Sequence, residues 1–166
     1  MMNKAFTKEE DGTGPERLPD LPLSPHPNHV TPRGLRLLEA RRDALEAEVA
    51  RLRSERESAA DLTPLAVAER DLRYVEARIA SALLTAPPLP PERVLFGTTV
   101  RVADVEGREA DYTIVGEDEA APGEGRISHV SPLARALMEA EPGDVVDWVK
   151  PGGTEELEVL SVRVEG

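Results

Sequence analysis

Six apolar positions, Leu65, Ala68, Leu72, Val75, Ile79 and Ala82, follow one another at intervals of three, four, three, four and three residues. That spacing lays a narrow seam along one side of a helix, and a seam so narrow is satisfied only by a second helix. Upstream, Leu38, Leu45 and Leu52 recur every seven residues, with Leu35 and Val49 at the alternate positions and Arg42 interrupting them. Thr31-Pro32 and Thr63-Pro64 each read as an N-cap followed by proline in the first turn, where its missing N–H costs nothing. Only the polar stretch SERESAAD separates the two stripes, so residues 31–86 are predicted to form one antiparallel helical hairpin. Its second helix, over residues 64–85, would run about 33 Å at about 1.5 Å per residue. No third long helix is predicted, so the hairpin must project into solvent, pair with a second copy or enter a partner.

The flanking composition sets the remaining boundaries. Prolines at 15, 19, 22, 25 and 27 and glycines at 12 and 14 mark residues 1–30 as a flexible tail. PPLPP marks residues 87–92 as a short, stiff linker. Beyond it the apolar period falls to two. Strands are expected around Leu95–Val102, DYTIVG, RISHV, VVDWV and EELEVLSVRV, with turns at Glu106-Gly107, Pro142-Gly143 and Pro151-Gly152-Gly153. One short helix starts at Ser131, which can cap it, with Pro132 behind; Leu133, Ala136 and Leu137 share its face. Residues 93–166 are thus expected to be an antiparallel sheet with one covering helix, and the whole chain α+β.

The chain has no cysteine, which removes disulfides and thiol chemistry. No apolar run approaches the length of a membrane span, and the opening residues lack the apolar stretch of a leader, so a cytoplasmic protein with no membrane contact is expected. The net charge of −12 disfavours autonomous binding to nucleic acid. Charge is balanced across the hairpin; from Arg93 onward 16 acidic residues face 7 basic ones, which suits a partner with a basic surface. Catalytic signatures are missing. His26, His29 and His129 are not spaced as metal ligands, no serine sits in a nucleophile elbow, and no phosphate loop is present. Glu117-Asp118-Glu119 offers hard oxygen ligands, but adjacent carboxylates make a poor cage, and a solvated loop is expected. The chain is expected to have no active site, no metal site and no cofactor of its own.

VLFGTTVRV (94–102), YTIVGEDEA (112–120), ISHVSPLARAL (127–137), GDVVDW (143–148) and PGG with its following strand (151–160) resemble the C-terminal domain of the GreA/GreB family of bacterial transcription elongation factors, in the family's order and at compatible spacing. The resemblance implies an FKBP-like domain behind an antiparallel coiled coil, a monomer, and RNA polymerase as partner, with DNA and RNA met only inside the elongation complex. It also implies that Val130, Ser131, Pro132 and Arg135 lie at the surface that docks on the rim of the polymerase secondary channel. Relatives often carry Asp or Asn where this chain has Val130.

In family members that stimulate transcript cleavage, an Asp and, three residues on, a Glu at the hairpin tip help hold a second Mg²⁺ of the polymerase. Asp61 matches the first acid, and Pro64 stands in place of the second; Glu55 and Glu57 lie nearby. The second helix is also about ten residues shorter than in cleavage factors, roughly 15 Å of reach. Two readings therefore stand within the family, cleavage stimulation through Asp61 and channel occupancy without cleavage. A prolyl isomerase would need aromatic walls, for which the module offers only Phe96, Tyr112 and Trp148. A coiled-coil scaffold between chains is the third alternative.

Overall fold

A computed structural model describes residues 16–165. Two compact units divide the chain: residues 38–80 with those up to Leu23 form one, and residues 24–37 with those from Ser81 onward form the other.

The first unit is built on the helical hairpin. Helix α1 spans Pro32–Ser54 and helix α2 spans Thr63–Ala80. The seam is the heptad stripe: Val49, Leu65 and Ala68 are buried together, with Leu52 and Leu72 packed against them, and Val75 has no exposed surface. The end of α1 meets the beginning of α2 through an Arg53–Glu69 ion pair at 2.6 Å, as an antiparallel pair requires. Part of the expected tail belongs here too. The Arg73 guanidinium, on α2, holds Asp20 at 2.6 Å and donates to the carbonyl of Leu18 at 2.8 Å. Prolines 19 and 22 keep that backbone extended, and its carbonyls are then free to accept. Residues 1–15 of the tail lie outside the described residues.

The second unit is a five-stranded sheet in the order β5-β4-β3-β7-β6, with β3 at Thr98–Asp104, β4 at Glu109–Val115, β5 at Arg126–Ser128, β6 at Val145–Lys150 and β7 at Gly153–Val164. Three of its four pairings are antiparallel. The expectation of a wholly antiparallel sheet is corrected at one edge, where β5 runs parallel to β4, with Ile114 opposite Ile127. Two single 3₁₀ turns at 117–119 and 122–124 carry the chain back between them, a return a tight hairpin cannot make. Helix α3, Pro132–Leu137, closes one face, burying Leu133, Ala134 and Leu137 against Val100, Val102, Ile114 and Val159.

This unit begins before the hairpin does. Strand β1, His29–Val30, pairs in parallel with strand β2, Leu83–Leu84, and Asn28, Val30 and Thr31 are buried. The tail drawn over residues 1–30 therefore ends in a folded strand. Composition hid this, because a two-residue strand in a proline-rich stretch leaves no period to read. The linker's first residue is seated as well: Gly97 has φ +89° and carries no Cβ, which would lie 2.9 Å from the Pro87 ring.

Candidate functional site

At the hairpin tip, residues 55–62 make one 3₁₀ turn, Arg56–Ser58, and an extended approach to α2. Asp61 is exposed, and its Oδ1 accepts the backbone N–H of Thr63 at 2.9 Å. That bond satisfies one of the donors a helix start leaves open, so Asp61 has a local task in starting α2. The same hydrogen bond, with a second from the Thr63 side chain, holds its carboxyl below the ordinary aspartate range. Pro64 follows, exposed and without a ligating atom on its side chain. Glu55 is engaged by Arg51 at 3.2 Å. Among the described residues, no group of three or more His, Asp or Glu side chains is arranged to hold a metal ion.

The second place is the corner where β5 turns into α3. Ser131 sits at the N-cap and accepts the N–H of Ala134, while its own N–H donates to the carbonyl of Ser128 at 2.9 Å. The Val130 N–H donates to the Ser128 hydroxyl at 3.2 Å. With the backbone spoken for, the chain goes from strand to helix through one tight turn over residues 129–131. Pro132 and Arg135 are left exposed, Val130 and Ser131 half-buried. Ser131 and Pro132 border a hollow of about 550 Å³, whose other walls include Tyr112, Ile127, Leu133 and Trp148; Val130 and Arg135 lie outside its lining. Trp148 and Tyr112, which the sequence offers only as two of three scattered aromatics, are brought to the same hollow. The lone tryptophan on a strand of alternating exposure was the available signal.

Phe96 is not part of this hollow. Its ring packs instead on His29 and His129, at centroid separations of 5.6 and 5.5 Å, and the two histidines face each other at 5.6 Å. Histidines far apart in sequence are thus gathered at one spot. Burial lowers the pKa of His129, and the neighbouring His29 adds to the effect. With only two of the three expected aromatics lining it, the hollow lacks a closed aromatic cage for a proline ring.

Glu119 departs furthest from expectation. The carboxylate is buried and accepts from the Thr31 hydroxyl at 2.6 Å, from Arg33 at 2.9 Å and from Arg126 at 2.8 Å. Thr31 also caps α1 by accepting the N–H of Gly34 at 2.9 Å. Burial alone would raise the Glu119 pKa; the bonds from Thr31, Arg126 and Arg33 outweigh it and hold it below the ordinary value. The expected solvated loop is therefore, at Glu119, a clamp on the first turn of α1.

A family model for the C-terminal part of the transcription elongation factors GreA/GreB matches residues 89–164. Transcription elongation factor GreA of Desulfovibrio desulfuricans is 37% identical over 145 residues, covering 74% of this chain and 90% of that protein. The chain belongs to the GreA/GreB family. GreA of Methylococcus capsulatus is 45% identical over 98 residues, which span 57% of this chain and 62% of that protein. Among solved structures, the GreA/GreB factor from Nitrosomonas europaea is 24% identical, with 82% of this chain and 98% of that one covered at a TM-score of 0.41. For this GreA/GreB member the matched blocks fall on β3, β4, β5, α3, β6 and β7, of which β4, β5, α3 and β6 contribute to the lining of the hollow.

Proposed function

We propose that the protein is a transcription elongation factor that docks on RNA polymerase through the Ser131-Pro132 corner and its apolar hollow. It places the hairpin in the secondary channel and regulates elongation there without a full pair of metal-binding carboxylates. Membership of a family whose characterised relatives are named transcription elongation factors supports the partner. One observation carries the choice of mechanism: at the tip, Asp61 is committed to the Thr63 N–H and Pro64 stands where a second acid would have to be. A weakly held second Mg²⁺ of the polymerase needs additional hard oxygen ligands, and a lone carboxylate with one oxygen already engaged supplies little. The chain then acts as an accessory factor with no chemistry of its own.

Transcript cleavage in backtracked elongation complexes tests this. Wild type and Asp61→Ala are expected to bind polymerase alike, and neither to shorten RNA beyond the polymerase's intrinsic rate. Pro132→Arg, an exposed change at the corner, is expected to weaken binding tenfold or more with its thermal midpoint unchanged. Robust cleavage by wild type that Asp61→Ala abolishes would instead make Asp61 a working metal ligand and the protein a cleavage factor.

A further inference from the structure

A second hollow, of about 260 Å³, opens in the sheet unit beside the start of α1, and three arginines, Arg33, Arg36 and Arg126, are among the residues that line it. In a chain of net charge −12, such convergence runs against the composition. Of the two carboxylates that pair with these arginines, Glu165 lines the hollow and Glu119 lies behind it, outside the lining. Glu119 is held tightly, by three bonds no longer than 2.9 Å, with its side chain 3% exposed. Glu165 is held loosely: its carboxylate oxygens lie 3.2 and 3.5 Å from Arg126 Nη1 and 3.4 Å from the Thr113 hydroxyl, and its side chain is 46% exposed.

Two donor groups remain unmatched. Arg126 Nε is buried without a hydrogen-bond partner. Arg36 is exposed and has no hydrogen bond or ion pair among the described residues. Arg33 and Arg36 stand three residues apart on α1 and share a face, at the positive end of its dipole. A buried N–H without a partner costs free energy, and a guanidinium fork prefers planar, bidentate anionic oxygens. A single carboxylate at more than 3 Å satisfies neither Arg36 nor the Arg126 Nε.

We propose that this hollow is a binding site for a small phosphate-bearing molecule, in which Arg36 and Arg126 take the anionic oxygens and Glu165 is the internal carboxylate that the ligand displaces. The size suits a small anion better than a nucleotide-sized ligand, since pockets for drug-sized molecules begin at about 300 Å³. The proposal rests on the sheet unit alone and is independent of polymerase binding.

Calorimetric titration of the full chain with inorganic phosphate and with pyrophosphate, at constant ionic strength set by chloride, tests it, with the ¹⁵N-detected Arg126 Nε–H resonance followed in parallel. Saturable binding is expected, tighter for pyrophosphate, together with a shift of that resonance. Glu165→Gln, which removes the competing charge, should tighten binding at least threefold, and Arg36→Ala should weaken it at least fivefold. Both positions are exposed, so neither change threatens the fold. Heats that chloride alone reproduces, or binding indifferent to both substitutions, would overturn the site. Glycerol phosphate, titrated alongside, should bind as inorganic phosphate does if the terminal phosphoryl group is what is recognised, and that result supports the site.

Discussion

Gly34 stands where a single carbon atom matters. A Cβ there would lie 2.7 Å from Glu119 Oε1 and 3.3 Å from the Thr31 hydroxyl, and the carboxylate cannot yield because three donors fix it. Gly34→Ala, ordinarily a favourable change within a helix, is therefore expected to destabilise the protein by about 1–3 kcal/mol in urea unfolding. His129 supplies a pH prediction. Its pKa is lowered in the folded state by burial and by His29; Glu117 opposes the shift, while His26 and Arg135 add to it. The unfolded chain then binds the proton more readily, so the stabilising contribution is complete above the ordinary histidine value of 6.5 and is lost as pH falls through the lower folded value. Thermal midpoints measured from pH 7.5 to 5 should fall, and His129→Phe, which keeps a ring beside Phe96, should flatten the slope. Neither residue was legible in advance. Glu119 looks like one acid in a polar run, and the histidines look scattered, because both depend on contacts between residues far apart in the chain.

Among the elements, the two helices were the most legible, since a period near 3.5 sustained over several turns has no other reading. Their starts were legible as well: Thr31 caps α1 as the Thr-Pro pair suggested, although at the second pair Asp61 makes the turn and Thr63 is already helical. The end of α2 was not, since the helix stops at Ala80 and Leu83–Leu84, expected inside it, form β2. The seam predicts its own energetics. Val75 is fully buried, so Val75→Ala should cost about 2 kcal/mol in urea unfolding, whereas Leu37, 47% exposed on α1, should lose less than about 0.5 kcal/mol on the same truncation. Equal losses would mean that the stripe is not what holds the hairpin. Strands β3, β4, β6 and β7 were legible from alternation and turn residues. The parallel edge strand β5 was not, because three residues carry too little pattern to fix a direction.

For the whole molecule, the α+β class and the order of hairpin before sheet followed from sequence, and the family followed from its motifs. The division between units did not, because β1 and the first turns of α1 group with the sheet rather than with the helices that follow. The candidate docking corner was legible as a capped helix start, and its hollow was not, since Tyr112 and Trp148 come from separate strands. The small β1–β2 pair has one more implication. The Leu83 N–H donates to the Asn28 carbonyl and the Thr85 N–H to that of Val30, so the chain departs for the hairpin and returns from it at adjacent strands. Residues 38–80 are then a cassette clipped at both ends, inserted into a unit that keeps the first turns of α1. Evolution or an engineer can lengthen, shorten or exchange such a cassette by paired heptads, provided its two ends stay one strand spacing, about 4.8 Å, apart. A hairpin of unusual length in this family thus needs no compensating change in the sheet.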